Sequence, residues 1–224
     1  MSDDEVWYDG TSGDPTVVWY DGGGTTGWAV FSVHPDALTD PECFVMDNVT
    51  FFACGEFYGN EFMQVDQMIA LAELWPGAAL GVEHWILYDT QKDRKDENLT
   101  SLVRINAAFR YGLHSRAMLR QHYADKGGAM MPPLLGEGGA PVKRPIPEVY
   151  RQTAKLGVHD MPEAALHSAT YQGKSLYILT RGSEHARDAA RHGMTFLKRL
   201  KGNPKLRAEA FPALARLSET PSAA

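Results

Sequence analysis

A chain of 224 residues with 44% hydrophobic and 10% aromatic content is long enough for one domain with a real core and too apolar to be disordered. No apolar run reaches the ~18 residues of a membrane span, and the acidic start Met1-Ser2-Asp3-Asp4-Glu5 lacks a positive leader region, so the expectation is a cytoplasmic protein with no membrane partner. The net charge of −6 conceals a split, with 16 acids and no Lys or Arg in residues 1–91 but all 22 basic residues against 12 acids in residues 92–224, which puts a candidate phosphate-binding face in the second half unless the halves interleave.

Residues 1–16 carry acids, Gly, Ser and Pro and read as a flexible N-terminal arm. Val17-Val18-Trp19-Tyr20 is β-branched and aromatic, a strand that runs into Asp21 and the turn Gly22-Gly23-Gly24-Thr25-Thr26-Gly27. Residues 28–33 form the second strand of a hairpin, residues 44–52 read as a third strand, and residues 55–59 as a loop. Residues 61–75 have helical spacing, with Phe62, Val65, Met68, Ile69, Ala72 and Leu74 apolar, and Pro76-Gly77 stops them. The apolar run 78–87, interrupted by Glu83 and His84, is the next strand. The order strand, strand, strand, helix, strand predicts a mixed α/β sheet whose last strand runs parallel to the first.

Residues 89–98 are a charged loop and residues 99–123 a long helix bearing Arg104, Arg110, Arg116 and Arg120. The Gly- and Pro-rich stretch 127–147 contains Lys143 and Arg144 and room for a short strand at 130–135. Residues 147–154 and 161–169 read as short helices, and residues 183–200 as a helix with Ser183 or Glu184 at its start and Gly202 beyond it. Residues 203–224 form a weakly helical or disordered tail, so the central domain spans 17–202. Cys43 and Cys54 have no metal-type spacing and read as reduced thiols.

Three places carry candidate chemistry. Asp21 ends a core strand beside glycines that admit close backbone approach, although Asp-Gly is also a common hairpin signal. Glu83 sits inside an apolar strand, where a carboxylate has to be paired, hydrogen-bonded or metal-bound unless it faces outward. In Glu184-His185-Ala186-Arg187-Asp188-Ala189-Ala190-Arg191-His192, helical spacing places Glu184 or His185 beside Asp188 and Asp188 beside His192. The same stripe is compatible with a solvated helix face. A competing pair, Asp160 and Glu163, also fits a capping box with Pro162 in the first turn. Three carboxylates converging from separate segments on one sheet make an oxygen-rich site for Mg²⁺ or Mn²⁺, suited to phosphodiester hydrolysis.

The order of these motifs resembles the RuvC-like branch of the ribonuclease H-like superfamily. Tyr20-Asp21-Gly22-Gly23-Gly24-Thr25-Thr26-Gly27-Trp28-Ala29 looks like the family's first-strand motif, and Val82-Glu83 like its second acidic strand. His185-Ala186-Arg187-Asp188-Ala189-Ala190-Arg191-His192 resembles the last helix of phage-encoded RuvC-like resolvases. The resemblance covers roughly residues 17–200. It implies a ribonuclease H-like mixed sheet flanked by helices and Mg²⁺- or Mn²⁺-dependent cleavage of four-way (Holliday) junctions by a homodimer. Asp21, Glu83, His185 and Asp188 are the implied catalytic residues, and Asp21, Glu83, Glu184 and Asp188 the implied metal ligands. The family's late pair of acids three residues apart is replaced by His185 and Asp188, with Glu184 adjacent. Arg104, Arg110, Lys143 and Arg144 are candidate phosphate contacts on branched DNA. Alternatives within this reading are a flap or RNA–DNA hybrid nuclease, and a junction-binding protein without catalysis. The Gly-rich turn also resembles the phosphate loop of actin- and sugar-kinase-like ATPases, but those folds usually repeat the domain over about twice this length.

Overall fold

The computed structural model describes residues 13–84, 97–125, 148–153, 156, 161–180 and 182–214, with backbone alone for 97–100 and 120–125. Strands β1 (Thr16–Asp21), β2 (Thr26–Val33) and β3 (Val49–Phe57) form an antiparallel meander. After helix α1 (Asp36–Thr39), β3 and helix α2 (Glu61–Leu74), strand β4 (Ala79–Glu83) returns parallel to β1. The long helix α3 (Glu97–Asp125) leads to β5 (Val149–Gln152), parallel to β4. The sheet order is β3-β2-β1-β4-β5. With helices on both faces, this is the mixed α/β sheet flanked by helices expected from the motif order.

Beyond β5 come helix α4 (Glu163–Ser168), the small hairpin β6 (Thr170–Tyr171) and β7 (Lys174–Ser175), helix α5 (Leu176–Leu179), helix α6 (Glu184–Gly202) and helix α7 (Pro204–Ala210). Among the described residues, no helix is long and apolar enough to cross a membrane.

β1 is buried on both faces, which is why its apolar run does not alternate with polar residues. One face presents Val17, Trp19, Ala29 and Phe31 to Ala189, Ala190, Met194, Phe196 and Leu197 of α6. The other presents Val18, Tyr20, Val30, Leu80 and Val82 to Val65, Met68 and Ile69 of α2 and to Ile105 and Phe109 of α3. Tyr20 completes this second layer by donating its hydroxyl to the Met68 carbonyl at 2.8 Å. The helices begin on sequence signals that satisfy free backbone N–H groups. Asn60 caps α2 by accepting from Met63 N, and Ser183 caps α6 by accepting from Ala186 N.

Two elements depart from the sequence reading. The third strand starts at Val49 and runs through Gly55 and Glu56 to Phe57, not over 44–52. Phe44 is 75% exposed and residues Val45–Asn48 coil into a 3₁₀ turn, so the apolar run 44–46 never reaches the ladder, while the supposed loop 55–57 pairs with β2. The segment 147–154 was expected to be helical, but its described part is β5. Its backbone is taken up by the parallel ladder to β4, a tertiary partner that overrides local propensity. The strand expected at 78–87 is observed as Ala79–Glu83, and residues 85–87 lie outside the described residues. So do residues 1–12 of the arm expected over 1–16, whose last residue, Thr16, opens β1, as well as the strand expected at 130–135, and Asp160, Lys143 and Arg144. Between Gly202 and Leu214 the chain stays packed, since Phe211 and Leu214 belong to the core under α6.

Candidate functional site

Parallel pairing of β1 with β4 sets Tyr20 against Val82. Asp21 and Glu83, one residue further on, therefore leave neighbouring strands at the same end of the sheet and on the α6 face. Both are buried, at 7% and 9% exposure, and their carboxyl groups share a hydrogen bond. Asn106 of α3 holds the end of β4 by donating Nδ2 to the Glu83 carbonyl at 2.7 Å.

The start of α6 closes over this end of the sheet. Gly27, opposite Asp21 in the β1/β2 ladder, makes the approach possible, because a Cβ there would lie 2.1 Å from the His185 carbonyl oxygen. Ser183, the α6 cap, also hydrogen-bonds Glu56 of β3, which fixes the entry of the helix. As a result His185 Nδ1 lies 3.4 Å from Asp21 Oδ2. Asp188, one turn on, is near enough for its charge to act on both buried carboxyls. Its own Oδ1 accepts from Arg191 Nη1 at 3.0 Å.

The electrostatics are those of an anion cluster without enough positive charge. Burial, and then the hydrogen bond and charge of Asp21, push Glu83 up to about 9. Burial also pushes Asp21 up to about 6, with the charges of Asp188 and Glu184 adding to the effect, although the hydrogen bond from Glu83 opposes it. Two carboxyls in one desolvated site cannot both ionise unless a cation joins them. The donors are carboxylate oxygens with imidazole nitrogen nearby, a set that suits Mg²⁺ or Mn²⁺, so the residues fit the metal that the resemblance implies.

One residue of this cluster was absent from the expected catalytic and metal-binding set. His192 is 1% exposed, and a ring nitrogen of His192 and carboxylate oxygens of Asp21 and Glu83 lie within 4.8 Å of one another. Burial, with the Arg191 charge adding to it, lowers its pKa to about 4, so the ring is neutral. The available sequence signal was its place four residues after Asp188 on the same helix face, with Gly193 directly after it.

A solved structure of Thermus thermophilus RuvC is similar to this chain over 84% of it and 96% of that chain, at 13% identity and a TM-score of 0.43. No family model and no curated protein matches the sequence.

The structure thus brings together Asp21, Glu83, His185 and Asp188, with the exposed Glu184 at the rim. Of the competing late pair, Asp160 lies outside the described residues. Glu163 is exposed and faces Arg187 of α6 at 3.8 Å. It is the first residue of α4, capped by Pro162 without a side-chain hydrogen bond, rather than the third residue of a capping box. Of the expected phosphate contacts, Arg104 forms a two-pronged ion pair with Glu61 of α2, at 2.6 and 3.0 Å, and Arg110 is exposed on α3. Arg116 pairs with Glu73 at 3.1 Å.

Proposed function

We propose that this protein is a divalent-metal-dependent endonuclease that hydrolyses phosphodiesters of branched DNA, with four-way junctions as substrate and a homodimer as the working unit. The observation that carries the reading is the buried carboxyl pair Asp21–Glu83 at adjacent strand ends, covered by His185 and Asp188 from one helix turn. The choice of junction DNA and of a dimer rests on the motif resemblance described above.

Asp21, Glu83 and Asp188, with His185 or Glu184, would hold Mg²⁺ or Mn²⁺. A bound divalent cation supplies charge to polarise a phosphodiester and acidity to water. The protein's own groups do the rest. Buried Asp21 and Glu83 give fixed anchors on two hydrogen-bonded strands, so their separation is set by the ladder rather than by loop motion. His185 is partly exposed and 3.4 Å from Asp21, a position from which Nδ1 can hold or pass a proton at the mouth of the site. Arg191 neutralises part of the Asp188 charge, which limits repulsion of an incoming phosphate.

The test is cleavage of a labelled four-way junction beside linear duplex, flap and RNA–DNA hybrid, with Mg²⁺ and with EDTA. Paired, Mg²⁺-dependent nicks confined to the junction are expected. Asp21→Asn should abolish them while keeping or strengthening DNA binding, because a negative charge next to phosphate is removed. Cleavage by Asp21→Asn at the parental rate would overturn the site assignment. Junction binding without cutting would leave a binding protein, and cutting of a flap or hybrid alone would change the substrate.

A further inference from the structure

We infer that His192 is itself a ligand of the divalent cation, binding it from beneath the carboxylates through an imidazole nitrogen and biasing the site toward Mn²⁺ over Mg²⁺. The inference rests on the metal-dependent reading of the site given above.

A buried histidine that serves only packing normally has both ring nitrogens engaged or solvated. His192 does not, because its Nδ1 is fully buried and has no hydrogen-bond partner among the described residues. Nor is it an incidental core residue at a distance from the chemistry. It is the imidazole whose ring nitrogen falls within 4.8 Å of both Asp21 and Glu83 oxygens, and Asp188, the charge that acts on both of those carboxyls, is one helical turn away on the same face.

The ring is also held in place. It stacks on Trp19 with centroids 5.7 Å apart and planes 5° from parallel. Trp19 in turn lies against Gly81, where a Cβ would fall 2.0 Å from the indole ring. Beneath the backbone of His192, the buried Gln152 donates Nε2 to the His192 carbonyl at 2.9 Å and accepts from Arg199 at 3.2 Å. Gln152 is the β5 residue paired with Glu83. One ladder position therefore supports two of the groups in the cluster, the arrangement by which outer residues orient metal ligands.

Replacing one oxygen donor by imidazole changes which ions the site holds best. Mg²⁺ and Ca²⁺ favour all-oxygen shells, whereas Mn²⁺ and later ions accept nitrogen readily. An imidazole at the floor therefore raises affinity for Mn²⁺ more than for Mg²⁺, independently of any nucleic acid.

The test uses the full chain with Mn²⁺ alone and no DNA. Pulsed electron paramagnetic resonance of the bound ion reads directly coordinated nitrogen, and titration calorimetry reads affinity. The expected result is a directly bound imidazole signal that persists in the His84→Gln/His185→Gln double variant and disappears in His192→Phe, whose ring preserves the stack on Trp19. Mn²⁺ affinity should fall at least about tenfold in His192→Phe, and the Mn²⁺/Mg²⁺ preference should shrink. Should His192→Phe fail to fold by circular dichroism, the double variant decides: a persisting nitrogen signal supports His192, and its loss overturns the inference. Mn²⁺ bound with no nitrogen signal overturns the role of His192 and leaves the nuclease reading standing. Absence of any bound Mn²⁺ overturns both.

Discussion

Replacing Glu83 by Gln should stabilise the metal-free protein while destroying its affinity for cations. Glu83 titrates near 9 in the fold because it is buried and lies against Asp21, compared with an ordinary value of 4.5. Folding near neutral pH therefore requires this side chain to take up a proton that the unfolded chain does not carry. At pH 7 the mismatch is about 2.5 pH units, and at 1.36 kcal/mol per unit it costs about 3 kcal/mol of stability. Because the folded pKa is raised, the contribution of Glu83 is fully favourable below pH 4.5 and is lost as pH climbs toward 9. Gln resembles the protonated acid in shape, keeps an N–H to donate to Asp21, and has no proton to acquire. Urea denaturation in EDTA at pH 5, 7 and 8.5 should show the parent losing stability with rising pH and the variant nearly level over the upper part of that range. The variant should lead by up to about 3 kcal/mol at pH 7. Adding Mg²⁺ should reverse the order once the ion reaches about 1,000 times its Kd, where it adds about 4.1 kcal/mol to the protein that binds it and nothing to the variant. Equal slopes for the two proteins, or a variant less stable than its parent at pH 8.5, would refute the idea that Glu83 is folded in its neutral form.

Gly27→Ala should lift the start of α6, because the new methyl meets the His185 carbonyl and the Ala186 nitrogen, which are backbone and cannot rotate away. A displacement of about 1 Å costs about 100-fold in a positioned reaction, and the overpacking costs about 1–3 kcal/mol; junction cleavage rates and urea denaturation check the two effects, and unchanged cleavage would contradict the close approach. Gln64→Ala should leave the Gly24 and Gly59 carbonyls and the Thr26 hydroxyl without the partner they have at 2.9, 2.9 and 2.6 Å. A loss of about 1–3 kcal/mol follows, chiefly from the buried Thr26 hydroxyl left without its acceptor, to be read by thermal or urea melting.

The parts of the fold that were legible in the sequence are those in which one strong periodicity acts alone. β1 and β2 stand out as apolar runs on either side of a glycine turn, α2 as helical spacing stopped by Pro76-Gly77, and α6 as a helical stripe that starts at its Ser183 cap. β3 was displaced because exposed Phe44 supplied a hydrophobic signal with no burial behind it, while Gly55 and Glu56 carry loop chemistry into a paired strand. β5 was hidden because four residues are too few to show a period, and its strand character comes from β4 beside it. At the site, the Asp21–Glu83 pairing could be anticipated from the inferred parallel strands, and the face of α6 bearing His185 and Asp188 from helical spacing. The pairing of Arg104 with Glu61 could not be read, because it joins two helices whose rotation about their axes is set by the core.

Helix α6 contributes His185, Asp188 and His192 near the strand ends and also Met194, Phe196, Leu197 and Leu200 to the core beneath it. Opening the helix therefore uncovers the sheet and dismantles the cluster in the same event, so the two behave as one cooperative unit. Because Asp21, Glu83 and α6 are far apart in the chain, the cluster forms only after β1, β4 and the helix have all docked. If the cluster holds a cation as proposed, ion uptake would report that these three elements have docked, and an intermediate without the docked helix would lack the site.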